Sequence, residues 1–218
     1  FNFMFISLYN THIQDKQLDA IVGILENDGI VVIPTDTLFA FVCDIQSHKA
    51  AKRLAQIKGK TLEKSNFSLL CKDLSQASQY VKPLSKEQFS LIKNVATGGF
   101  TFVLPSSNLT PKIFLSKKRT IGIRIPEHNV AQEILQRINR PLLVSSLPHD
   151  EDMEEDFFTN AELIYDTFSK QVEAVVECNA FNNSDIDCSL KNIPSTVIDM
   201  TDSQDFSIIR QGLGEIEL

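Results

Sequence analysis

The sequence predicts an α/β fold, a sheet covered by helices, forming a single domain over residues 1–218. Two observations carry this expectation. Short β-branched runs interleave along the whole chain with stretches whose apolar residues recur at helical spacing. The composition, 218 residues with 43% hydrophobic and 22% charged side chains, is that of an ordinary globular chain, and no internal repeat interrupts it.

Leu18, Ile21, Val22 and Leu25 follow helical spacing, and Gly29 sits where a C-cap glycine belongs, so a helix is expected near 15–28. An apolar strand, Ile30-Val31-Val32-Ile33, then runs into the polar cluster Pro34-Thr35-Asp36-Thr37. Ser47 can cap a second helix carrying Ala51, Leu54, Ala55 and Ile57, which Gly59 would end. A strand at Phe67–Cys71 follows, then helices at Leu74–Val81 and Lys86–Lys93, the latter capped by Ser85. Gly98-Gly99 opens a strand at Phe100–Leu104. Ile121, Ile123 and Ile125 alternate with Gly122 and Arg124, the signature of a half-buried strand with Arg124 on the face opposite the isoleucines. Val130, Ile134, Leu135 and Ile138 mark another helix, Leu142–Ser146 another strand, and Thr159-Asn160-Ala161-Glu162 a capping box ahead of a helix with Leu163, Ile164 and Phe168. Strands near Ala174–Val176, Thr196–Met200 and Phe206–Ile209 complete the pattern. The acidic stretch Asp150–Asp156 and the polar segment Asn182–Asn192 are expected on the surface.

Lys plus Arg total 21 against 28 for Asp plus Glu, a net charge of -7, which argues against indiscriminate nucleic-acid binding and confines any RNA contact to a local patch. No stretch approaches the roughly 20 apolar residues needed to span a bilayer, and the apolar N-terminus lacks a basic region and a cleavage motif. A cytoplasmic protein is expected, with Met4 a candidate natural start. Cys43, Cys71, Cys178 and Cys188 form no C-x-x-C pair, so thiols are expected rather than zinc or disulfides. His12, His48, His128 and His149 are scattered, and no metal site is expected.

The commonest phosphate-loop, dinucleotide, zinc-protease and serine-hydrolase signatures are absent. What remains is a set of cations, Lys58, Lys60, Arg124 and Arg210, with the hydroxyls of Thr35, Thr37, Ser145, Ser146, Ser195 and Thr196. That donor set suits a phosphate-bearing ligand. Each piece alone also has a structural reading: the lysines can complement a helix C-terminus, Arg124 can pair with a carboxylate, and Thr35–Thr37 can form a hydrogen-bonded turn.

Six blocks decide between these readings. Ile33-Pro34-Thr35-Asp36-Thr37, Lys58-Gly59-Lys60, Phe67 to Leu74, Thr120 to His128, Pro194 to Asp199 and Ile209-Arg210-Gln211-Gly212 resemble, in order, successive blocks of the YrdC family, which includes threonylcarbamoyl-AMP synthases. The resemblance implies a YrdC-like fold, a twisted mixed sheet with helices around an open concave cavity. It implies an enzyme that joins L-threonine, bicarbonate and ATP in tRNA threonylcarbamoyladenosine formation, with Mg²⁺ accompanying ATP. It assigns Lys58, Lys60, Ser146, Ser195 and Arg210 to ATP, Lys58 and Lys60 also to catalysis, and Thr35 and Arg124 to threonine.

The chain departs from the synthase pattern in places. Lys58-Gly59-Lys60 stands for K-x-R, and Ser146-Leu147-Pro148 for S-x-N. Ala40 and Val42 replace glycines, which should narrow the cavity. With Asn66 to Cys71 and Val144 to Pro148, these features are more similar to the YciO-like branch. An alternative reading is a tRNA- or double-stranded-RNA-binding module with little catalysis, resting on Lys112, Lys117, Lys118 and Arg119, and a third is a regulator that binds a nucleotide or acyl phosphate.

Overall fold

The computed structural model describes residues 3–9, 13–96, 99–114, 119–148, 155–179 and 190–218. Among them, ten strands form one mixed sheet: β1 (Met4–Tyr9), β2 (Val31–Ile33), β3 (Ala40–Asp44), β4 (Ser68–Leu70), β5 (Phe100–Pro105), β6 (Thr120–Arg124), β7 (Leu142–Ser146), β8 (Ala174–Asn179), β9 (Thr196–Asp199) and β10 (Ser207–Arg210). Across the sheet they run β1-β8-β2-β3-β7-β4-β6-β5-β9-β10. Six α-helices accompany them: α1 (Asp15–Glu26), α2 (His48–Ile57), α3 (Leu74–Tyr80), α4 (Lys86–Val95), α5 (Asn129–Ile138) and α6 (Ala161–Phe168).

Strand alternation sends successive side chains to opposite faces, and each face meets a different partner. On one face Ile121, Ile123, Leu69, Phe41 and Phe102 join Leu54 of α2 and Ile164 and Phe168 of α6 in a phenylalanine-rich core, where Phe41 meets Phe168 edge-on at 5.0 Å. On the other, Val31, Ile33, Val42, Leu70 and Val144 pack with Leu18, Ile21 and Leu25 of α1 and Val130, Ile134 and Leu135 of α5. Among the described residues, none from β5, β6, β9 or β10 belongs to this second core. Helices α1 and α5 therefore cover only part of that face, and the remainder stays open.

Several helix boundaries follow the expected chemistry. The Ser47 hydroxyl accepts from the Ala50 amide, and Ser85 with Gln88 forms a reciprocal capping box. Helix α2 ends through Gly59 at φ +63°, with the Lys60 amide donating back to the Ala55 carbonyl.

Other expectations are corrected. The left-handed residue after α1 is Asp28, φ 62°, whose carboxylate accepts from the Ser47 hydroxyl; Gly29 follows it and donates its amide to the Ile24 carbonyl. The cap of α6 is Asn160, not Thr159: its side-chain oxygen accepts from the Glu162 and Leu163 amides. Strands β1 and β3 went unread, because the first is an edge strand and the second carries apolar residues to both faces, leaving no alternation to detect. Cys43 and Cys71 are buried free thiols, their pKa raised by burial, whereas Cys178 is disulfide-bonded, unlike the expected thiol. Asp150 to Glu154 and the stretch 182–189 lie outside the described residues. No helix among those described is long and apolar enough to cross a membrane.

Candidate functional site: a cationic cavity on the open half of the sheet

The uncovered half of the second face forms a cavity of about 460 Å³. Its floor is set by strand register: Val144 pairs with Ser68, Ser68 with Gly122, and Gly122 with Val103, so these four residues form a row across β7, β4, β6 and β5. All four line the cavity. They are small, and a depression results where the neighbouring half of the face is filled by helix side chains.

The cations arrive from separate elements. The backbone turn at Gly59 carries Lys58 and Lys60 from the end of α2 to one wall, β6 supplies Arg124 from the floor, and the edge strand β10 supplies Arg210 from the opposite side. All four line this one cavity, together with Ser146 and Ser195. Thr35 is fully buried just behind it, where its hydroxyl accepts from Arg124 Nη2 at 3.1 Å.

Lys58 does not turn back onto its own helix end. Its Nζ donates to Ser145 Oγ at 2.6 Å and to the Ser146 carbonyl at 2.9 Å, at the end of β7. Burial, reinforced by the neighbouring Lys60 charge, lowers its pKa to about 8. Lys60 is exposed and makes no ion pair among the described residues. The Arg210 guanidinium donates to the Ser195 carbonyl through Nη2 at 2.8 Å and Nε at 3.2 Å. Ser195 Oγ in turn shares a 2.8 Å hydrogen bond with Thr101 Oγ1. Partial desolvation and the nearby Arg124 charge push the Arg210 pKa down.

Arg124 is buried and paired with Asp36, Nη2 to Oδ1 at 2.6 Å, with Thr37 Oγ1 a further acceptor at 2.5 Å. The pairing is incomplete. Arg124 Nε and Asp36 Oδ2 are both buried without a hydrogen-bond partner among the described residues, so the two groups meet through one nitrogen and one oxygen rather than as a two-pronged fork.

Ala40 lines the cavity as expected, but Val42 does not narrow it: it packs into the α1/α5 core, and Phe41 points to the other face. Sequence reasoning missed Ser68, Thr101 and Glu63 on the cavity wall. Alternation in Phe100-Thr101-Phe102-Val103 was the available signal for Thr101, since Phe102 is fully buried on the opposite face. Of the basic cluster considered for RNA, Lys112 and Arg119 are exposed, while Lys117 and Lys118 lie outside the described residues.

Comparison with known proteins agrees with this architecture. The Sua5/YciO/YrdC family model, described as "Telomere recombination", matches residues 23–212. The uncharacterized protein YciO of Escherichia coli K12 is 32% identical over 216 residues, covering 98% of this chain and 97% of its own. The crystal structure of E. coli YciO superposes with a TM-score of 0.84 at 31% identity, over 98% of this chain and 97% of that one. Threonylcarbamoyl-AMP synthase of Buchnera aphidicola subsp. Acyrthosiphon pisum is 35% identical over 106 residues, 48% of this chain and 60% of that protein. The crystal structure of P. abyssi Sua5 complexed with L-threonine shares the fold, with a TM-score of 0.78 at 21% identity, over 96% of this chain and 57% of that one. A family match across most of the sequence, and a relative similar from end to end, show that the chain belongs to the Sua5/YciO/YrdC family.

Proposed function

We propose that this chain is a threonylcarbamoyl-AMP synthase-like enzyme acting on L-threonine, bicarbonate and ATP. The observation that carries the reading is the convergence of Lys58, Lys60, Arg124 and Arg210 on one cavity whose wall holds, among the described residues, a single carboxylate, Glu63. A triphosphate suits such an arrangement of cations. Partial similarity to threonylcarbamoyl-AMP synthases supports the choice of substrates.

The chemistry asks mainly for electrostatics. The threonine amine and bicarbonate give a carbamate and water; a carbamate oxygen then attacks the α-phosphorus of ATP, and the bond to the β-phosphate oxygen breaks to release pyrophosphate. Lys58, held by Ser145 and the Ser146 carbonyl, and Lys60 stand on one wall to stabilise charge on the transferring and departing phosphates. Arg210, fixed by Ser195, faces them from the other side and binds the nucleotide. Arg124 presents its Nη1 edge to the amino-acid carboxylate, its Nη2 edge being taken by Asp36, Thr35 and Thr37. Mg²⁺ enters as part of the ATP substrate. Among the described residues Glu63 is the only carboxylate lining the cavity, and it is the side chain that would meet a Mg²⁺ ion accompanying ATP.

Pyrophosphate release from ATP, measured with threonine and bicarbonate each present and omitted, tests the reading. Release that requires both supports it, and Lys58→Ala should lower the rate at least about tenfold. ATP turnover indifferent to threonine removes the assignment. Retention of labelled tRNA on the chain without such turnover would favour an RNA-binding role instead.

A further inference from the structure

One of the hydroxyls that suit a phosphate ligand by sequence does not reach the cavity. Ser195 and Val197 line it, and alternation sends Thr196, between them, to the opposite face with Ile198, where it is fully buried. There its hydroxyl uses all of its hydrogen-bonding capacity on one short piece of chain. Oγ1 donates to the Gly214 carbonyl at 2.6 Å and accepts from the Gly212 amide at 2.9 Å and from Gln211 Nε2 at 3.4 Å. The Leu213 amide adds a 2.8 Å bond to the Pro194 carbonyl. Gly212 permits this approach, since a Cβ there would stand 2.1 Å from the Pro194 carbonyl oxygen. The turn 211–214 is thus fastened to the start of β9, and it begins immediately after Arg210.

We infer that Thr196 is a positioning residue: by fastening the turn after β10 to β9, its buried hydroxyl holds the Arg210 guanidinium against Ser195 and at the cavity. The inference rests on the proposed nucleotide role of Arg210 and deepens it. Little else fixes that arginine. All four residues of β10 are exposed, the strand lies at the edge of the sheet, and its register with β9 shifts between Ile208 and Arg210. Two backbone contacts set where Arg210 lies, its pairing with Val197 and the Gly212–Thr196 bond two residues on, and both lead to the segment that presents Ser195. That segment is itself held, by Ser195 Oγ sharing a 2.8 Å bond with Thr101 Oγ1 and by the Thr196 amide donating to the Gly99 carbonyl at 2.8 Å. With the Thr196 hydroxyl removed, the Gly212 amide loses its partner, the turn loosens, and Arg210 spends part of its time where it no longer meets a phosphate. Small displacements of a positioned group are costly to the ligand it serves.

ATP binding by titration calorimetry, on wild type, Thr196→Val, Arg210→Met and the double variant, tests this, because a residue that acts through Arg210 has nothing to act on once the guanidinium is gone. Thr196→Val keeps the shape and removes the hydroxyl. It should weaken ATP about tenfold in the wild-type background and less than about twofold in Arg210→Met. Thr196→Ser, which retains the hydroxyl, should stay within about twofold of wild type. A variant that merely softened the fold would weaken ATP alike in both backgrounds. Where Thr196→Val fails to fold, Gln211→Ala, on the exposed side of the turn, is read by the same cycle, with a severalfold loss expected that is again absent in Arg210→Met. Equal weakening in both backgrounds, or none in either, overturns the positioning role and leaves the proposed function standing. Wild-type ATP affinity in Arg210→Met overturns the nucleotide role of Arg210 and the inference with it, and a wild type that binds no ATP overturns the proposed function itself.

Discussion

Lys58 gives the sharpest test of the electrostatic reading, because its charge is placed within reach of ordinary pH. Its pKa of about 8, against 10.5 for the free side chain, follows from burial at the end of β7 and the adjacent Lys60. If a polyphosphate binds only the protonated form, apparent affinity follows the fraction protonated, which drops to about one in eleven at pH 9. The Kd for ATP should therefore rise about tenfold between pH 7 and pH 9. Titration calorimetry on wild type and Lys58→Met measures this, and the ratio of the two proteins' constants cancels the ionisation of ATP itself. At pH 7 the substitution removes a charged hydrogen-bond donor and should cost about 10- to 100-fold in affinity, and by pH 9 most of that difference should vanish. Stability runs the other way. Between about pH 8 and 10.5 the unfolded chain holds the proton and the folded chain does not, so the Lys58 contribution to stability rises with pH across that window. Below it the half-buried cation is a cost, and Lys58→Met should melt no lower than wild type at pH 7. A wild-type affinity that stays flat to pH 9, or a Lys58→Met profile that falls in parallel with it, refutes the reasoning.

Arg124→Ala strands Asp36 in a buried position and should reduce unfolding free energy by about 3–5 kcal/mol in urea titrations, whereas the Arg124→Ala/Asp36→Ala double variant should lose less than the sum of the singles. Gly59→Ala meets no atom within 4 Å but must hold φ at +63°, so about 1 kcal/mol should be lost in the same assay, and Gly59→Asn should lose less. Glu173 accepts from the Ile30 amide at 2.7 Å and from Arg53 at 2.8 Å, tying β2 and α2 together. Glu173→Gln keeps one acceptor and loses the charge, and should lower urea stability by about 1 kcal/mol.

The parts of the fold legible in the sequence were those where one face is dry and the other is not. Ile121, Ile123 and Ile125 announced β6 because Gly122 and Arg124 face the cavity between them, and the spacing of Leu18, Ile21, Val22 and Leu25 announced α1 because only one stripe of it is buried. Strand β3 lies between two other strands and is buried throughout, so Ala40-Phe41-Val42-Cys43 carries no periodic signal. For the site, the cations stood out as motif residues, but their convergence depends on pairing between strands distant in sequence. Ser68 and Gly122 illustrate the limit. They are 54 positions apart and become neighbours only through the parallel register of β4 and β6, which no local pattern encodes.

How a chain of net charge -7 would seat the proposed polyphosphate ligand follows from where its ion pairs lie. Asp44 and Glu26 are bound to Arg140, Glu173 to Arg53, and Asp15 and Asp19 to Arg137, all away from the cavity. Among the described residues, Lys58, Lys60 and Arg210 have no carboxylate partner, and the fixed contacts of Lys58 and Arg210 are hydroxyl and carbonyl oxygens that orient a cation without cancelling it. Net charge acts at distances where salt screens it, within roughly 8 Å at physiological ionic strength, whereas these three act at contact. On the proposed reading, such an arrangement selects a compact, highly charged ligand. The acidic exterior disfavours long polyanions that must lie along the surface, and the cavity rewards a short one that can enter it.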